Sequence, residues 1–194
     1  MTSRVAVPLL CLLVWIGVLA CSDAVSPTDA VNASFSAGGR IAFGFNGTAS
    51  GFPTGAVRLT GGGSYDPATA TNVVPTDTTS AVSSGSFDCT ETVAQGPLAG
   101  CQAGEGVRWD TAQLLASTTF KCTADDTPKL ATTGPRTAVL LADFYRAGDG
   151  NDESFTAPMI VSESDLAPLI PGIQTLWVMG VGCGVANGHF NGKS

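Results

Sequence analysis

One histidine, His189, is all that a chain of 194 residues offers, and this scarcity removes much chemistry at once. No GxSxG elbow precedes it, so no nucleophile has an evident base, and an ordinary surface or strand-edge histidine accounts for the residue. HExxH, paired CxxC motifs, the P-loop pattern and the GxGxxG fingerprint are also missing. Gly180-Val-Gly182-Cys-Gly184 lacks the third glycine at the required spacing. Charge is sparse, with 9 basic and 16 acidic residues and a formal net charge of −7. No basic cluster exists, which argues against nucleic acid and anionic membrane surfaces as partners. Glu, Lys and Gln are few, and no segment keeps the three-four spacing of a long amphipathic helix.

Long apolar runs are scarce as well, and the one present lies at the start. After Met1-Thr2-Ser3-Arg4, residues Val5 to Ala20 carry no charge. A short basic n-region followed by an apolar h-region is the layout of an export signal. The run is shorter than the roughly 20 residues a spanning helix needs, and Pro8 interrupts it. The segment ends Val18-Leu19-Ala20-Cys21, which resembles the lipobox of bacterial lipoprotein precursors. The family usually has Leu at the position of Val18 and a small residue at that of Leu19. The resemblance implies that residues 1–20 are a signal peptide and that Cys21 is lipidated as the mature N-terminus. Residues 21–34 then read as a flexible tether and residues 35–194 as a single domain. Ser22 and Ala24 also fit the small-x-small pattern of ordinary cleavage after Ala24, a route that leaves a plain secreted protein.

Of the 6 cysteines, Cys11 leaves with the signal and Cys21 is lipidated or removed. Cys89, Cys101, Cys122 and Cys183 remain. An even number in an exported chain implies disulfides, and three connectivities are possible. The short Gly/Pro-containing excursion QGPLAGC favours Cys89–Cys101, which leaves Cys122–Cys183 to join two inward-facing strand positions.

Period-two alternation predicts half-buried antiparallel strands. Ile41, Phe43 and Phe45 share a face, as do Val57 and Leu59, and Phe87 with Cys89. Residues 107–123 read as one long segment with Leu114, Ala116, Thr118, Phe120 and Cys122 on one side. Thr137 to Tyr145 is apolar on both faces, as a central strand would be, and pairs through a turn with Phe155 to Val161. A last strand pair lies between Gln174 and Phe190. Ser162 to Leu166 is the one helix candidate, with Ser162 as N-cap before Pro168. The stretches GGG at 61–63 and GVGCG at 180–184 suggest bends or bulges. The expected fold is all-β, an antiparallel β-sandwich or a small closed β-barrel of seven to eight strands.

Candidate sites are thin. Asp149 to Glu153 alternates oxygen ligands as calcium loops do, but Ser154 stands where the loop needs Gly and Ile160 where it needs Glu, so a solvated turn is expected. Asp88, Glu91, Glu105 and Asp110 flank strands and read as solvent-facing acids, although glycoside hydrolysis depends on a spatial pair that sequence does not exclude. Trp109 and Trp177 are candidates for a sugar-stacking platform or for core aromatics. Asn32 and Asn46 head N-glycosylation acceptor patterns, relevant in a eukaryotic source. No catalytic residue, metal site or cofactor is assigned. The expectation is an extracytoplasmic, lipid-anchored β-domain of the cell envelope with a binding or scaffolding role, its partner an envelope protein or small ligand. The alternative is a small β-barrel enzyme or carrier with a ligand in its lumen.

Overall fold

A computed structural model of the chain describes residues 39–51, 54–73, 81–146 and 153–191. The signal, Cys21 and the tether lie outside the described residues, as do Asp149 to Asp152 of the acidic turn. The strands are β1 Ile41–Gly51, β2 Ala56–Tyr65, β3 Ala81–Glu91, β4 Arg108–Leu114, β5 Ser117–Phe120, β6 Lys129–Thr132, β7 Thr137–Arg146, β8 Glu153–Ser162, β9 Leu176–Val178 and β10 Gly182–Phe190. Eight of them close into an antiparallel barrel, β1-β2-β3-β4-β7-β8-β9-β10, with β10 pairing back onto β1. It is therefore a barrel, not a sandwich. Apart from one excursion the strands follow chain order, so each buries its apolar face against a neighbour in sequence. The excursion is β5 and β6, which pair only with each other.

Alternation decides which side chains enter the lumen. Phe43 and Phe45 of β1, Leu59 and Tyr65 of β2, Phe87 of β3, Trp109 of β4, Phe144 of β7 and Met159 of β8 form one buried cluster. Arg58, Thr60, Ser86 and Asp88 on the other face of β2 and β3 are more exposed. An apolar inside and polar outside reverses the pattern of a membrane-spanning barrel. Trp109 is fully buried, and its indole N–H donates to the Thr60 carbonyl at 3.0 Å. The ring needs glycine beneath it: a Cβ on Gly61 would meet Trp109 Cζ2 and the Ser84 carbonyl, each at 2.6 Å. The GGG run is thus a mid-strand seat for an indole, not the bend expected from its composition. Gly180 is a turn glycine, with φ +85° between β9 and β10.

A second, smaller cluster lies outside the wall. Val139, Ile160, Trp177 and Cys183 face outward from β7, β8, β9 and β10 and are covered by Phe120, Cys122 and Ala131 of the excursion and by Ala167. Both cysteine pairings expected from the spacing are present, Cys89–Cys101 and Cys122–Cys183. The second does not join inward-facing positions, however. It fixes the end of the outer hairpin to the outer face of β10, with Cα atoms 5.2 Å apart.

Two further expectations change. Residues 107–123 are not one strand: the chain leaves the barrel at Leu115–Ala116, after a bulge between Thr111 and Gln113. Gln113 holds this corner, its side-chain amide donating to the carbonyls of Thr71 at 2.7 Å and Val73 at 3.1 Å. Alternation continues past the break, but Phe120 then serves the outer cluster. Ser162–Leu166 is not helical. Ser162 Oγ accepts the Ser164 N–H at 3.0 Å, and Asp165 Oδ1 accepts those of Ala167 and Gln174 at 2.9 and 3.0 Å. These side chains satisfy the backbone in turns, the usual competitor of a short helix. The helical turn among the described residues is the 3₁₀ segment Pro67–Thr69, capped by Asp66.

Candidate functional site

The lumen is packed with side chains. Phe87 and Phe144 meet edge-on at 5.0 Å, Phe43 and Tyr65 at 5.6 Å, and Phe45 lies 5.9 Å from Trp109. Polar groups inside are satisfied locally. Ser83 and Thr111 hydrogen-bond each other, and Tyr65 donates to the Gly134 carbonyl at 2.7 Å. Burial, together with the nearby Glu163 charge, pushes the Tyr65 phenol well above its ordinary range, so it stays neutral. Among the described residues no buried side-chain nitrogen or oxygen lacks a partner. A lumen filled in this way has no convergent polar groups left to hold a ligand.

A concave feature lies on the outside. A groove of about 770 Å³ runs over the outer faces of β1 and β10. Antiparallel register sets its floor, placing Asn46 opposite Asn187, Thr48 opposite Val185 and Ser50 opposite Cys183. Cys122 to Ala124, just past β5, form part of its border, and Ile170, Pro171 and Gln174 of the β8–β9 connection form more. Gly47 lets the two strands approach, since a Cβ there would meet the Val185 carbonyl at 2.6 Å.

Both borders are anchored. The Cys122–Cys183 bridge holds one. Beside it Asp125 accepts the Cys122 N–H at 2.8 Å and pairs with Lys129. Burial of the Asp125 side chain, 4% exposed, favours the neutral acid. The Lys129 hydrogen bond, the Cys122 N–H and the Lys129 and Lys121 charges outweigh it and hold the carboxyl below its usual range. On the other border Thr175 Oγ1 donates to the Ala186 carbonyl at 3.0 Å and accepts the Ala186 N–H at 2.8 Å. Asp165 fixes Gln174.

The residues singled out from sequence are not brought together. His189 is exposed on β10, across from Gly44, and makes no hydrogen bond or ion pair among the described residues. Asp88 pairs with Arg58 at 2.9 Å, Asp110 with Arg108 at 3.3 Å and Glu105 with Arg146 at 3.7 Å. Glu91 ends β3, exposed. None of these acids lines the groove. Trp109 is in the lumen, and Trp177 is 6% exposed and edge-on to Phe120 at 6.1 Å, so neither ring is free as a platform. Asn46 heads a glycosylation acceptor pattern in the sequence and lies in the groove floor. Thr48 belongs to the same acceptor pattern, and no motif in the sequence points to Ser50 or Gln174 as site residues. The available signal was that the outward residues of Asn46-Gly-Thr48-Ala-Ser50 are all amide or hydroxyl.

Fold and site define a closed antiparallel barrel with a packed lumen, two disulfides and a groove on its outer wall. No family model, curated protein or solved structure matches the chain. The two disulfides place its maturation in an oxidising, extracytoplasmic compartment.

Proposed function

We propose that this chain is a lipid-anchored binding module of the bacterial cell envelope, and that it takes its ligand on the outer wall and not in the lumen. The packed interior carries this reading: buried side chains fill the barrel, which leaves its wall and loops for recognition. The groove of about 770 Å³ is within the range of ligand sites. The export segment and the lipobox-like sequence ending at Cys21 support the anchored location. His189 makes no hydrogen bond or ion pair among the described residues, and the reading is one of binding.

Cell fractionation of wild type and Cys21→Ser tests the anchor. Wild type is expected with the membranes and the variant in the soluble fraction, both with intact disulfides. A wild-type protein recovered soluble with Val25 as its first residue contradicts the anchor. Retention of the mature protein on isolated envelope material tests the binding role, and Asn187→Trp, which fills the groove, is expected to abolish it.

A further inference from the structure

We propose that the β1/β10 groove recognises a neutral, hydroxyl-rich ligand, an uncharged oligosaccharide. This rests on the outer-wall reading above and names the class of ligand. The first observation concerns unused hydrogen-bonding groups. Elsewhere on the wall several outward polar side chains are taken up by one another. Arg58 pairs with Asp88, Thr60 with Ser86 at 2.6 Å, and Thr156 with Asp143 at 2.6 Å. In the groove the side chains of Asn46, Thr48, Ser50, Asn187, Thr123 and Gln174 make no such bond among the described residues. Six groups with open donor and acceptor capacity converge on one concavity.

The second observation is charge. Among the described residues no Asp, Glu, Lys, Arg or His lines the groove, although the chain carries a net charge of −7. An anionic ligand would find no counter-charge there and would meet the repulsion of the whole molecule. A cationic one would find no carboxylate. Side-chain amides hold a donor and an acceptor side by side, which suits adjacent hydroxyls that each donate and accept. Val185, 51% exposed, and the half-buried Ile170 offer apolar contact for the C–H face of a ring.

The third observation separates sugar from peptide. Extended peptides gain affinity by adding a strand to a free sheet edge, and this groove lies over the outward faces of β1 and β10, not along an edge. β1 is paired on both sides, whereas β10 pairs with β1 from Gly182 to Phe190 and with β9 only at Gly182–Gly184. Recognition in this groove therefore falls to side chains.

The test is titration of the isotope-labelled mature protein, followed by amide NMR. The probes are chitotetraose and maltotetraose as neutral sugars, polygalacturonate as an anionic one, and an uncharged Gly/Ser/Asn peptide. A neutral sugar is expected to shift the Asn46, Gln174 and Asn187 side-chain amides. Asn46→Ala and Asn187→Ala should each weaken it by about 2–10-fold, the range for loss of one hydrogen bond, with backbone spectra otherwise unchanged. The proposal is overturned if neither neutral sugar perturbs these amides at about 10 mM, a threshold already weaker than −3 kcal/mol. It is overturned equally if the peptide or polygalacturonate binds there instead. Envelope retention distinguishes the two levels. If Asn187→Trp abolishes retention while no neutral sugar binds, the ligand class is wrong and the outer-wall reading stands. If retention ignores the substitution, both fall.

Discussion

Replacing Gly61 by Ala should destabilise the barrel through one aromatic ring, and the size of the effect can be worked from the geometry. The added Cβ meets Trp109 Cζ2 at 2.6 Å, the Ser84 carbonyl at 2.6 Å and the Gly85 Cα at 3.1 Å. All three neighbours are held, since the indole is tied to the Thr60 carbonyl at 3.0 Å and the others are β3 backbone. Overpacking of this kind costs about 1–3 kcal/mol. Trp109→Phe removes the contacting ring edge and the indole donor, at a cost of about 2 kcal/mol from lost burial and a freed buried acceptor. If Gly61 is there to seat the indole, the shorter ring relieves part of the clash. The double variant should then be more stable than the sum of the singles by about 1 kcal/mol or more. Gly134→Ala is the matched control, since its Cβ meets nothing within 4 Å, and should lie within about 1 kcal/mol of wild type. Urea unfolding followed by far-UV circular dichroism, with disulfides intact, measures all four. Strict additivity of Gly61→Ala and Trp109→Phe would refute the seat, and an equal loss from Gly134→Ala would show that the cost is not steric.

The two bridges should differ in effect. Cys122 and Cys183 are 61 residues apart and Cys89 and Cys101 are 12 apart, so the chain-entropy relation gives about 4 kcal/mol for the first and about 3 kcal/mol for the second. Urea midpoints of Cys122→Ala/Cys183→Ala and Cys89→Ala/Cys101→Ala check the order, and the first variant should lose hydrogen-exchange protection in β5 and β6 before the barrel. Asp125 predicts an acid response. Its carboxyl is lowered in the folded state, so its stabilisation is complete above the ordinary carboxylate value of about 3.9 and is lost as pH falls through the lowered one. Exchange at the Cys122 amide should quicken below about pH 4, and Asp125→Asn should flatten that dependence. An unchanged profile in the variant would remove Asp125 as its cause.

Much of the barrel was legible because side-chain alternation is a local property. Ile41, Phe43 and Phe45 could be placed on one face by spacing alone, and so could Phe87 with Cys89. Closure was not legible, because pairing of β10 with β1 joins residues over a hundred positions apart and leaves no trace in either strand. The excursion was missed for a related reason. Alternation runs unbroken through 107–123, and only the Gln113 anchor and the bulge show where the chain leaves the wall. Ser162 and Asp165 have the composition of a helix start, but their side chains satisfy turns. The groove escaped because its residues are ordinary one at a time. Asn46, Thr48 and Ser50 face outward by parity, but their meeting with Asn187 and Gln174 depends on closure and on where the disulfide sets the hairpin.

The central claim, that recognition occurs on the outer wall while the lumen serves only stability, is tested most directly by a paired substitution read by envelope retention. Asn187→Trp fills the groove and leaves the core untouched. Met159→Val opens space beside a fully buried lumen position and leaves the groove untouched, at a stability cost of about 1 kcal/mol. With folding of both confirmed by circular dichroism, loss of retention in Asn187→Trp alone is the predicted result. Normal retention by Asn187→Trp together with altered retention by Met159→Val would contradict it and return the ligand to the lumen.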